Sequence, residues 1–257
     1  MTTLLLALSL WLPQSAAMSA STMKLAPKRI AEFDMSQLRG EIRILTWSPD
    51  GTELYLETAE LKSDALPKNT CHYILNAGTG QLKQIDAEPA WSATYRDAMK
   101  FKSAPGDEAF LISLETEQRK SSATSTPMGG DYARGGMGSD SGGMAGGVSA
   151  ETVAAAANQS QSGTAHVMRL KGQIVGEWLN RPIVPGQSYG WGPQGSNVIA
   201  YAEPNDRQLI VMDKSGAKQK IDGTRGVYSP AFSTDGKHLA WLELRAKKAT
   251  LFVADIR

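Results

Sequence analysis

The run Gly186-Gln187-Ser188-Tyr189-Gly190 matches G-x-S-x-G, the pattern that presents a serine hydroxyl on a sharp strand-to-helix turn for nucleophilic attack. Asp206, Asp213 and Asp222, followed by His238, even reproduce the Ser…Asp…His order of a triad. That chemistry needs an elbow leading into a helix, whereas this run leads into an apolar, strand-like stretch. Only 70 residues remain from Ser188 to Arg257, too few for a hydrolase core, so hydrolysis through Ser188 ranks last among the functions considered. Met128, Met137 and Met144 offer soft thioether ligands suited to Cu(I), but in a glycine-rich tract they serve equally well as plain linker residues. Cys71-His72 sets two ligand types side by side with no others nearby in sequence, and a partly buried free thiol accounts for Cys71. Asn158-Gln159-Ser160 satisfies the N-glycosylation sequon, which matters only in a eukaryotic secretory pathway. One cysteine rules out an internal disulfide framework, a four-cysteine zinc site and a CxxC redox motif, and three scattered histidines (His72, His166, His238) argue against a histidine metal site. No catalytic residue, cofactor or metal is expected.

The elements that must position any site are bounded by composition. A chain of 257 residues with 27 Lys+Arg against 26 Asp+Glu lacks the basic excess of a nucleic-acid binder. Its 41% apolar content suits a globular core and is too low for a multispanning membrane protein. Residues 1–23 carry no charged side chain, Leu4–Leu12 is an apolar run, and Pro13 is followed by Ser15-Ala16-Ala17. This reads as a secretory signal, residues 1–17, cleaved after about Ala17, although the usual basic n-region is missing. No cysteine follows to take a lipid anchor, so the mature chain is expected to be soluble, periplasmic or secreted, without a transmembrane segment.

Internal repetition dominates the remainder. Trp47-Ser-Pro-Asp50-Gly51, Trp191-Gly-Pro-Gln-Gly195 and Phe232-Ser-Thr-Asp235-Gly236 each place glycine four residues after an aromatic; Phe101-Lys-Ser-Ala-Pro-Gly106 is a fourth copy with one extra residue. An apolar, strand-like run follows each box, then a second, then in three units a glycine turn and a third; the strand before each aromatic makes four per unit. Gly195 and Gly236 stand 41 residues apart, the period of a propeller blade. These observations predict an all-β fold over 24–257, a β-propeller of about four four-stranded blades. A Gly/Ser/Ala/Met-rich insertion, 121–164, interrupts the second blade and lacks the apolar content that ordering requires. Lys28-Arg-Ile-Ala-Glu-Phe33 resembles the outer strands near Lys83 and Lys218, so it is expected to supply the last blade's outer strand and close the ring. The alternative is an open arc completed by a partner or by a second copy of the chain.

The Trp-Ser-Pro-Asp-Gly box before Leu54-Tyr-Leu, and the Phe-Ser-Thr-Asp-Gly-Lys box before Leu239-Ala-Trp, resemble the WD-like propeller repeats of the TolB family. The resemblance covers about Arg39 to Arg257 apart from the insertion; it is degenerate in the second unit, and no segment before Arg39 is long enough for that family's separate α/β domain. It implies a propeller and says little of function, since such propellers serve as periplasmic scaffolds, peptidase gates and lectin-like modules. Counting four residues back from each box aromatic gives Arg43, Asp97, Gln187 and Tyr228, expected at equivalent places on the innermost strands around the channel rim. The function expected is a non-enzymatic scaffold binding another protein, in the cell envelope. A glycan or small-ligand propeller is the rival, with Tyr189, Trp191 and Tyr228 as the nearest stacking aromatics.

Overall fold

The computed structural model describes residues 18–60, 68–93, 102–119 and 163–257. The described residues form four four-stranded antiparallel sheets. The first contains β2 (Glu41–Trp47), β3 (Glu53–Glu60), β4 (Lys68–Asn76) and β5 (Leu82–Ile85) in that order. The second contains β6 (Ser103–Ala104), β7 (Asp107–Arg119), β8 (Gly163–Leu170) and β9 (Gln173–Leu179). The third contains β10 (Tyr189–Trp191), β11 (Val198–Ala202), β12 (Leu209–Asp213) and β13 (Lys218–Lys220). The fourth runs β14 (Val227–Phe232), β15 (His238–Arg245), β16 (Lys248–Ile256) and then β1 (Leu25–Asp34). The N-terminal strand thus pairs antiparallel with the C-terminal one, from Leu25 opposite Ile256 to Asp34 opposite Lys248. No helix among the described residues is long and apolar enough to cross a membrane.

Burial explains why the middle strands read as unbroken apolar runs. β11 and β12 are buried at every position, as strands are when both faces of their sheet are covered. The outermost strands alternate or are largely exposed, as in β13 and β1. Three apolar clusters fill the junctions between sheets. Leu45, Leu54, Leu56 and Leu75 meet Ala240, Leu242 and Leu251 between the first and fourth sheets. Val198, Ala200 and Val211 meet Phe232, Leu239 and Trp241 between the third and fourth. Phe110, Ile112 and Met168 meet Trp191, Ile199 and Tyr201 between the second and third. Among the described residues no such cluster joins the first sheet to the second; residues 94–101, which include Asp97 and Phe101, lie outside the described residues.

Two boundaries drawn from sequence shift. The fold begins before residue 24, because Ala20 and Met23 are buried in the cluster between the third and fourth sheets. Met18 N–H donates to Ser196 O at 2.8 Å, and Ala20 N–H to Asp213 Oδ2 at 3.0 Å. The end of the insertion also moves: Gly163 and Thr164 belong to β8, with Gly163 opposite Arg119. Residues 1–17, together with Met128, Met137, Met144 and Asn158, lie outside the described residues.

Candidate functional site

The repeat box has a common physical construction. In the first sheet the Ser48 hydroxyl donates to Asp50 Oδ1 at 2.6 Å and accepts from Glu53 N–H at 2.9 Å. The fourth sheet repeats this with Ser233, Asp235 and His238 at 2.7 and 2.9 Å. Gly51, Gly106, Gly195 and Gly236 have φ of 70°, 77°, 79° and 71°, the left-handed region that a side chain disfavours. The hydrogen bond from Ser48 is the main cause holding the Asp50 carboxyl below its usual pKa. The box serines were not singled out in the sequence reading, although a serine follows both Trp47 and Phe232.

Each box aromatic in the described residues reaches a neighbouring sheet. Trp47 Nε1 donates to Ala231 O at 2.9 Å, and the indole stacks on His238 at 5.7 Å, both from the fourth sheet. Phe232 of the fourth sheet packs among Val198, Ala200 and Val211 of the third. Trp191 of the third sheet meets Phe110 of the second edge to face at 5.1 Å.

These contacts draw the first strands together at one end. β14 touches both β2 and β10. Gly190 lies so close to β14 that a Cβ there would stand 2.1 Å from Pro230 O. Gln187 joins three sheets at this point: its side-chain amide donates to Ile42 O at 2.8 Å, and its carbonyl accepts from Ser229 N–H at 2.8 Å. Arg43 is the bulged residue of β2, between the paired positions Ile42 and Ile44. Tyr228 is the second residue of β14, just before the irregularity between Tyr228 and Ala231. Of the four residues expected at a channel rim, Arg43, Gln187 and Tyr228 therefore fall toward the start of the first strands. Gln187 does so from a turn ahead of β10 rather than from a strand, because residues 186–188 form a turn between Pro185 and Tyr189, which pair in an isolated parallel bridge.

Sequence reasoning did not find Arg207, in the loop between β11 and β12. Its guanidinium lies 3.5 Å over the Tyr228 ring, and Nε–H donates to Val227 O at 3.0 Å. Tyr189 and Trp191 are 1% and 7% exposed, and Arg207 covers one face of the half-buried Tyr228 ring. Burial pushes the Tyr189 phenol up to about 12.

The Ser188 hydroxyl accepts from Val184 N–H at 3.0 Å in a buried turn, with no helix after it. Of the acids and the histidine that follow it in sequence, Asp213 accepts from Ser215 and Ala20, and His238 Nδ1 faces Asp255 Oδ1 at 3.1 Å. That last pair borders a cavity of about 300 Å³, lined also by Lys28, Ile30, Trp47 and Ala77. On the first sheet Tyr55 donates to Glu57 Oε2 at 3.2 Å and bonds His72 Nδ1 at 2.7 Å. Cys71 is a half-buried free thiol packed against the core between the first and fourth sheets. Among the described residues no group of three or more His, Cys, Asp or Glu side chains could hold a metal ion. In comparison with known proteins, no family model matches the chain, and no curated protein matches it.

Proposed function

We propose that this chain is an exported, non-enzymatic β-propeller of the TolB type of WD-like repeat, presenting the gathered end of its first strands to another protein of the cell envelope. In this reading the four sheets are blades, and β1 closes the ring by completing the last. The observation that carries it is the common direction of the box aromatics. Trp47, Phe232 and Trp191 each reach the sheet before their own, the first sheet reaching the fourth, as a cyclic order of blades requires. Further support comes from Gln187, which ties three sheets at one end and leaves Arg43 and Tyr228 beside it. Loops and strand ends held on a packed scaffold are where binding residues concentrate. A glycan-binding propeller would need open aromatic faces there, and the candidates are buried or, for Tyr228, covered on one face.

A photo-crosslinking residue at Arg43, with one at the exposed outer-strand position Lys83 as control, tests the reading in native cells. A defined envelope protein captured from position 43 and not from 83 is the expected result. Capture of nothing, or equal capture from both, would remove the assignment of this end as the binding surface. Ser188→Ala should leave any esterase activity of the purified protein unchanged; its loss in this variant alone would overturn the non-enzymatic reading. Intact mass of the exported protein is expected to lack about the first seventeen residues.

A further inference from the structure

Arg207 is held in place by several features at once, and none of them neutralises its charge. Its backbone has φ of 49°, in the left-handed region that non-glycine residues seldom occupy. Its carbonyl accepts from Val227 N–H at 2.8 Å while its own Nε–H donates to Val227 O at 3.0 Å, a reciprocal clamp on the start of β14. The guanidinium plane is fixed by the Tyr228 ring at 3.5 Å. Among the described residues no carboxylate lies within ion-pair distance of it, and its two terminal amino groups have no hydrogen-bond partner.

The surroundings make this arrangement unfavourable for a cation left alone. The residue is half-buried, and burial is the leading cause that lowers its pKa; Tyr228 offsets this in part, and the charge of Arg181 lowers it further. A guanidinium partly withdrawn from water without a counter-charge is stabilised by an anion that reaches it. Its free edge is a planar pair of amino groups, which matches two oxygens of a carboxylate or a phosphate.

We propose that Arg207, seated on Tyr228 and clamped to Val227, forms a binding site for an oxyanion, a carboxylate or phosphate group received by the free edge of the guanidinium. The site does not depend on closure of the four sheets into a ring or on the existence of a protein partner. The oxyanion is either a free small ion or an acidic side chain of whatever docks at this end.

The test is an NMR titration of the full mature chain at low ionic strength, following the Arg207 Nε–Hε resonance and the backbone amides of Val227 and Tyr228, which remain as the readout in the Arg207→Lys variant. Phosphate and acetate are the probes, and chloride at matched ionic strength is the control. A saturable shift with phosphate or acetate, and none with chloride, is expected. Arg181→Gln changes an exposed residue and should weaken saturation several-fold. Arg207→Lys, which keeps the charge and loses the fork and the stacking, should weaken it about tenfold or more. A response no different from chloride, or saturation unchanged in Arg207→Lys and Arg181→Gln, would overturn the proposal even if partner capture at Arg43 succeeds. An acidic peptide of Asp and Glu then separates the sources: displacement of bound phosphate points to a side chain on a partner, and failure to displace it points to the free ion.

Discussion

Trp47 Nε1 and the carbonyl oxygen of Ala231 meet at 2.9 Å across 184 residues of chain, tying the box of the first sheet to the first strand of the fourth. Trp47→Phe keeps an aromatic ring in the cluster and removes only the N–H, leaving a buried acceptor without that donor. The expected cost is about 1–3 kcal/mol, the penalty for an unsatisfied buried polar group. Denaturant unfolding should show a lower midpoint with the slope unchanged. An unmoved midpoint would show that the ring alone holds this junction.

Asp213 is the acidic group whose titration should be felt in the N-terminal segment. Burial raises its pKa, but hydrogen bonds from the Ser215 hydroxyl and from the Ala20, Ser215 and Ala217 N–H groups outweigh burial and hold it below the usual value. A carboxyl depressed in the folded state contributes stability that is present above its unfolded pKa, near 3.9, and is lost as pH falls through the folded value. Asp213→Asn should therefore be less stable than the parent at neutral pH, and its stability should fall less steeply below about pH 4. Unfolding measured from pH 7 to pH 2 checks this. Parallel curves for the two proteins would mean that the contact with Ala20 does not respond to the carboxyl charge.

The repeat was legible because its signals are local. An aromatic, a turn and a glycine within five residues announce a hairpin, and the apolar run after each box marks a strand covered on both faces. The pairing of β1 with β16 was also legible, since Lys28–Phe33 shares the mixed charged and apolar pattern of an outer strand. The packing of Ala20 and Met23 was not, because small uncharged residues behind a leader-like run look like a tail, and only the groove between two sheets buries them. Gln187 was found by counting, but counting could not see that the chain turns before β10. Arg207 left no trace in the sequence at all. A charged residue in a polar loop reads as solvated, and neither its positive φ nor its seat on Tyr228 has a local signature.

The insertion meets the fold at a point where it can be removed. Arg119 and Gly163 are opposite one another at the open end of the β7–β8 ladder. Deleting 121–162 and joining the ends with a short Gly/Ser link therefore asks only for a hairpin turn. Closing a long loop costs little more than closing a short one, so the deletion should shift the thermal midpoint by only a few degrees and leave unfolding cooperative. Loss of cooperativity would show that the tract supports the second sheet. Thr164 should stay in the variant, since its N–H donates to Asn180 Oδ1 at 3.0 Å and its carbonyl accepts from Asn180 N–H at 2.7 Å.

Removal of residues up to Arg39 should do far more damage. β1 covers the edge of β16 along nine paired positions, and Phe33 and Leu38 are buried in the core between the first and fourth sheets. Without them the edge presents Leu251-Phe252-Val253-Ala254, apolar and uncharged, with a row of unpaired backbone groups. Such an edge is a template for pairing with another chain. The truncated protein should lose stability by several kcal/mol, as expected for two large buried side chains and a strand, and it should self-associate. Light scattering and denaturant unfolding on the mature and truncated chains measure both effects. A monomer of undiminished stability would mean that the β1–β16 ladder contributes nothing in solution, and the last sheet would then need another element to cover its edge.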